Sequence, residues 1–330
     1  MRRRLLAAMV IALLVGFAVV AVAGVANLGA RLGEGRPAWL ILAGAMELIS
    51  ALGFVATFAL VFGEWLAERT GLRVGLVVRA ATIVLPAGGL LAIGAGAGAL
   101  GRRGMPRAKT GSRTIAFLLI TNAPNAIVLG IVGLALAAGL LHGPDAPTIT
   151  ALPAAIALAA IVLTLLLPAV SHRRAAVESR GRLRHLISVL VAQLELGVLE
   201  ARELLRERDW RLLGAPAYYA ADNAVLWTTF KAFGHTHPPI ATLVMAYLIG
   251  SAAGSLPVPG GIGVVEGGMI GLLVLYGAPA ICAGIAVLSY RAIATGLPLA
   301  LGGAALLALR PRGPRPAGAA HRTRARVPSG

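Results

Sequence analysis

Apolar residues run along this chain in long blocks separated by short polar stretches. Crossing a bilayer as a helix takes about 20 mostly apolar residues. Blocks of that length lie at 5–27, 38–62, 114–141, 151–170, 212–233 and 281–309, and each predicts a spanning helix. Three more apolar blocks are interrupted by proline and glycine. Block 74–100 breaks at Leu85-Pro86-Ala87-Gly88-Gly89, and blocks 240–256 and 262–276 are separated by Pro257-Val258-Pro259-Gly260-Gly261. The first block follows Arg2-Arg3-Arg4 and contains Ala21-Val22-Ala23, so it also fits a secretory signal. Its apolar run is about twice the usual length of a signal core, which favours an uncleaved helix.

Composition agrees with this pattern. Hydrophobic residues make up 58% and charged residues 13% of the 330 positions, against roughly 45–50% and about 25% in soluble domains. The mean hydropathy is +0.84. So few charges cannot cover a water-soluble globule, so the chain reads as an integral membrane protein. Its one cysteine, Cys282, excludes a disulfide scaffold. An aromatic content of 5% argues against stacking platforms for nucleic acid.

The net charge of +17 changes the picture through its placement. The start, segment 63–79, loop 101–113, loop 171–211 and tail 310–330 hold 26 of the 30 Lys and Arg. Basic loops face the cytoplasm, so these five segments, including both termini, are expected inside. Segments 63–79 and 101–113 then flank 74–100 on the same side. Each arm of that block is about 11 residues, or about 16 Å of helix, roughly half a bilayer. Block 74–100 therefore predicts a re-entrant hairpin from the cytoplasm. With loop 234–239 outside and the tail inside, 240–276 predicts a second hairpin from the outside. Hairpins entering from opposite faces are the mark of an inverted repeat.

Residues 1–309 are thus read as one polytopic, all-α transmembrane bundle. Its insertion 171–211 carries Leu, Ile and Val from Leu186 to Leu205 beside Arg202, Arg206 and Arg208. That pattern fits an amphipathic helix on the inner leaflet or a solvated cytoplasmic helix. Tail 310–330 is basic and poor in apolar residues, which predicts disorder. Anionic inner-leaflet lipid is the expected partner of the basic loops and tail, and nucleic acid is not.

No Walker A, H-E-x-x-H, G-x-S-x-G or Cys/His cluster appears, so no enzyme, metal or cofactor is expected. His235-Thr236-His237 offers too few ligands for a metal site, and Cys282 reads as a small packing residue. The informative residues are polar ones at membrane depth. Glu47 lies in 38–62, Asn122 and Asn125 flank Pro124, Asp222 and Asn223 lie mid-way along 212–233, Glu266 follows the second break, and Arg291 lies in 281–309. An ionisable group there costs about 2.5–3.5 kcal/mol on insertion scales unless paired or wetted. Either function or a structural pair, such as Arg291 with Glu266 or Asp222, explains them. Lys231, near a helix end, is expected to snorkel and has no assigned role. Gly260, Gly261 and Gly263 suit an unwound turn, which at membrane depth must be buried in protein or line a wet cavity. The helix N-terminus opened there would offer N–H groups to an anion.

Leu256-Pro257-Val258-Pro259-Gly260-Gly261-Ile262-Gly263-Val264-Val265-Glu266-Gly267-Gly268 resembles the signature of the lysylphosphatidylglycerol synthase transmembrane-region family. Leu288-Ser289-Tyr290-Arg291-Ala292-Ile293 with Leu297-Pro298 resembles its last-helix pattern, and Val78-Arg79-Ala80 with Leu85–Gly89 resembles its first Pro-Gly element. The likeness covers about residues 5–309. It implies the flippase-like half of multiple peptide resistance factors, which moves aminoacylated lipid, and places Glu266 and Arg291 at matching positions. Many members carry Arg and Asp after the first motif, where this chain reads Thr121-Asn122-Ala123-Pro124-Asn125. The aminoacyl-transferase domain of full-length synthases is expected to be absent, because only about 20 residues follow 309.

These readings predict a plasma-membrane protein that binds and flips a lipid or lipid-linked substrate with an anionic headgroup. Glu266, Arg291, Gly260, Gly261, Gly263, Asp222, Asn125 and Glu47 are its candidate binding residues. The rivals are a non-transporting scaffold for a lipid or cell-envelope enzyme, and an intramembrane enzyme. A homo-oligomer is open.

Overall fold

The computed structural model describes residues 35–85, 90–100, 104–143, 147–171, 182–233, 238–252 and 263–309. The expected first helix 5–27, the breaks at 86–89 and 253–262 with Gly260 and Gly261, the His235–His237 loop and the tail lie outside them.

The described chain is an all-α transmembrane bundle. In order, its helices are α1 (Pro37–Phe62), α2 (Glu68–Val84), α3 (Leu90–Leu100), α4 (Arg107–Ala137), α5 (Pro147–Ser171), α6 (Arg182–Arg206), α7 (Gly214–Phe233), α8 (Ile240–Ala252), α9 (Val264–Leu275) and α10 (Ala280–Ala308). Short 3-10 turns at Gly63–Trp65 and Trp210–Leu213 follow α1 and precede α7. Among the described residues, four stretches are long and apolar enough to cross a membrane: Pro37–Trp65, Lys109–Ala137, Pro147–Pro168 and Ala280–Ala308.

Two elements differ from the sequence pattern. Helix α2 begins at Glu68 rather than near 74, so Arg69, Arg73 and Arg79 ride on the helix instead of in a loop. Its 17 residues span about 26 Å, longer than the half-bilayer arm expected, while the 11-residue α3 matches that expectation at about 16 Å. Nothing between Glu68 and Val84 breaks a helix, and Leu85-Pro86 ends it. Helix α4 likewise starts within the basic loop, and carries Pro124 in its interior.

Helix α7 packs against α1, α4, α8 and α10 and buries Asp222, Val225, Leu226 and Phe230. Its approach to α1 is set by two facing glycines. A Cβ on Gly53 would sit 2.6 Å from the Gly214 carbonyl oxygen, and one on Gly214 would sit 2.5 Å from that of Gly53. The backbones therefore touch where only hydrogen fits. Two apolar clusters form the interior. Phe54, Phe58, Phe62 and Phe117 anchor one, and Leu226, Tyr247, Met269 and Tyr290 anchor the other.

Helix α6 packs along α4 and α5, with a polar node at its contact with α4. Arg113, buried near the start of α4, pairs with Glu200 of α6 at 2.5 Å and with Glu64 at 3.3 Å, and donates to the Val61 carbonyl at 3.2 Å. Ser112 Oγ donates to the same Glu200 at 2.8 Å. Val198, Ala201 and Leu204 are buried against the bundle, while Leu190, Leu196 and Leu205 are exposed. Beyond α6, the Arg211 guanidinium bound to Asp209 holds that carboxyl below its usual range.

Candidate functional site

The polar residues at membrane depth converge. Glu47 on α1 is fully buried, and Arg79 Nη2 on α2 stands 3.5 Å from its Oε1. The Arg79 guanidinium lies over the Tyr218 ring at 5.1 Å and the Phe54 ring at 5.9 Å. Asp222 on α7 is close enough to Glu47 for the two carboxyls to interact. Its Oδ2 accepts from the hydroxyls of Tyr247 on α8, at 2.5 Å, and Tyr290 on α10, at 3.0 Å. Tyr219 donates to Asn122 Oδ1 on α4 at 2.8 Å.

A second cluster lies beside it. Arg291 Nε is 2.7 Å from Glu266 Oε1. The other carboxylate oxygen, Oε2, accepts the Gly263 N–H at 2.7 Å. Gly263 adopts φ +83°, the left-handed region that glycine enters without strain. The carboxylate thereby closes the N-terminus of α9, as the Glu of a capping box does. The N–H of Gly263, expected to face a substrate anion, is taken by the chain's own Glu266.

Both clusters border a partly open cavity of about 640 Å³. Arg79, Arg291, Asp222, Asn125, Tyr218 and Tyr290 are among its lining residues, and it also touches Phe54 and Phe117 of one apolar cluster and Tyr247 and Met269 of the other. The cavity thus sits where the two clusters meet.

Of the candidates read from the sequence, Asp222, Asn125 and Arg291 line the cavity, while Glu47 and Glu266 stand behind the two arginines. Gly263 caps α9. Of the two partners considered for Arg291, Glu266 takes the role, and Asp222 goes to the tyrosines. Lys231 rests its ammonium 5.4 Å over Trp227. Sequence reasoning missed Arg79, which counted as a cytoplasmic charge. The signal was local: Val77-Val78-Arg79-Ala80-Ala81 sets one cation deep in an apolar run, just before a break. The tyrosines were missed because a tyrosine in an apolar helix has no spacing that distinguishes a hydroxyl partner from a packing ring.

A bundle of apolar helices around a partly open cavity, with a mostly apolar wall that carries a few charged and polar groups, defines an integral membrane protein with a candidate internal site. Residues 5–302 match the family described as lysylphosphatidylglycerol synthase TM region, and the chain belongs to that family. Comparison with curated proteins gives no match.

Proposed function

We propose that this protein moves a lipid or lipid-linked molecule between leaflets of the plasma membrane, by alternating exposure of the central cavity. The observation that carries this reading is the cavity itself, partly open and mostly apolar, with the charged groups of Arg79, Arg291 and Asp222 set in its wall. Groups this costly to bury are kept in membranes chiefly where a substrate or ion passes. In this reading α2–α3 and α8–α9 are re-entrant hairpins of an inverted repeat, entering from the cytoplasm and the outside respectively. Both termini are cytoplasmic, and α6 lies on the inner leaflet with its exposed leucines in lipid. Arg291 and Arg79 hold the phosphate of the headgroup. Glu266 keeps Arg291 in place by a 2.7 Å bond while the cavity is empty, and yields to the substrate phosphate. The protein performs no covalent chemistry on the lipid.

The closed Glu266–Arg291 pair favours the second reading, a membrane scaffold whose ion pairs only fix packing. A leaflet-resolved assay separates the two. Purified protein is reconstituted into vesicles containing fluorescent phosphatidylglycerol, and outer-leaflet probe is quenched with dithionite. Transport predicts that the protected inner pool becomes accessible in protein-containing vesicles and stays protected in empty ones. A protected pool unchanged by protein rejects transport and supports the scaffold.

A further inference from the structure

The two ion pairs beside the cavity differ in geometry. Arg291 Nε donates to Glu266 Oε1 at 2.7 Å. Arg79 Nη2 stands 3.5 Å from Glu47 Oε1 and makes no hydrogen bond to it, and the Arg79 Nε–H has no partner among the described residues. A charged carboxylate sealed beside a guanidinium draws it into hydrogen bonds of about 2.7–2.9 Å. The looser contact at Glu47 has a local cause. The carboxyl of Asp222 lies within hydrogen-bonding reach of Glu47. Both Glu47 oxygens and Asp222 Oδ1 accept from no described residue, although Glu47 is 0% and Asp222 5% exposed.

Two carboxylates cannot bond to each other, but one proton between them makes the bond and gives each acid a partner. The charge count asks for the same proton. The titratable groups around the pair are Arg79 from α2, Tyr218 and Tyr219 from α7, Tyr247 from α8, and Tyr290 and Arg291 from α10. Helix α4 brings the amides of Asn122 and Asn125. Arg291 is matched by Glu266, and tyrosine hydroxyls are neutral. That leaves one guanidinium, Arg79, against two carboxyls, and a single proton makes the group neutral.

We propose that Glu47 and Asp222 hold one proton between them, and that the cavity takes it up and gives it off through Asp222, coupling lipid movement to proton binding. Asp222 lines the cavity, and Glu47 stands behind it. On release the carboxyl O–H bond breaks, the proton passes to water in the cavity, and the electron pair stays on the carboxylate. The site is then one negative charge in excess. Closing the cavity over an unpaired charge at membrane depth is costly, so exposure alternates with the proton in place and stalls without it. The coupling rests on the lipid-transport reading; the proton site does not.

Infrared spectroscopy of the purified protein in dodecyl maltoside tests the site, because the carbonyl stretch of a protonated carboxyl stands apart from the carboxylate and amide bands. Wild type should show that band at neutral pH and lose it on alkaline titration. Glu47→Gln and Asp222→Asn each leave one acid against Arg79 and should each abolish it. Glu47→Gln/Arg79→Gln leaves one acid without a cation and should keep it. The amide band of the same spectra shows which variants are folded. No such band in wild type, or its survival in a folded Glu47→Gln or Asp222→Asn variant, overturns the proton site. In the dithionite assay, wild-type exchange should fall about tenfold or more as pH rises through the loss of the band, and Glu47→Gln, neutral without a proton, should stay level. A level wild-type rate, or an equal fall in Glu47→Gln, overturns the coupling. If wild type exchanges no lipid at any pH, the transport reading and the coupling fall together, and the infrared band alone decides the proton site.

Discussion

At the residue scale, the two ion pairs differ in what surrounds them. Glu47 and Arg79 have side chains 0% and 8% exposed, and Glu266 and Arg291 have 15% and 18%. Removing one partner of a buried pair leaves an uncompensated charge, worth about 3–5 kcal/mol, and access to water or lipid reduces that loss. Arg79→Gln should therefore lower the detergent melting temperature strongly, and adding Glu47→Gln should restore it. Arg291→Gln should lower it less, because the Glu266 left behind is 15% exposed and still accepts the Gly263 N–H. Equal losses at the two pairs would show that Glu266 and Arg291 are as sealed as the deeper pair. That Arg291 would meet a carboxylate was legible in the sequence, since it is an isolated charge in an apolar block, but the choice of Glu266 over Asp222 was not, since both acids are isolated in the same way. Arg79 was not, because the same residue counts equally well toward a basic cytoplasmic segment, and only the start of α2 at Glu68 decides.

At the scale of elements, helix positions followed from apolar block length, and the errors lie at the ends where basic residues continue a helix. Arg107, Lys109 and Arg113 belong to α4, and the buried Arg113 leaves the expected loop to bind Glu200 and the exposed Glu64. The contact of α1 with α7 was less legible, because Gly44 and Gly53 look alike in a string of apolar residues. In the structure nothing approaches a Cβ at Gly44 within 4 Å, whereas at Gly53 it meets backbone of α7 at 2.6 and 2.8 Å. Gly53→Ala should cost about 1–3 kcal/mol by overpacking. Gly44→Ala should gain about 0.5–1 kcal/mol by helix propensity. Thermal melts of the two variants give opposite shifts if the glycine contact is as described, and matching shifts if it is not.

At the scale of the whole molecule, hydropathy, charge placement and two Pro-Gly breaks made the membrane bundle readable, and the family match over residues 5–302 agrees with it. The cavity was not readable. It is formed by residues from Phe54 on α1 to Ala294 on α10, which no spacing along the chain brings together. The central claim is that lipid headgroups pass through this cavity, and a plug tests it most directly. Ala126 lines the cavity on α4, while Ile131, five residues further on, is 63% exposed on the bundle's outer surface. Each is changed to cysteine in a Cys282→Ala background, alkylated in detergent with a bulky maleimide, reconstituted and measured in the dithionite assay. The account predicts that alkylated Ala126→Cys protein stops exchanging lipid and alkylated Ile131→Cys protein continues. Undiminished exchange with the cavity plugged at Ala126 would contradict it.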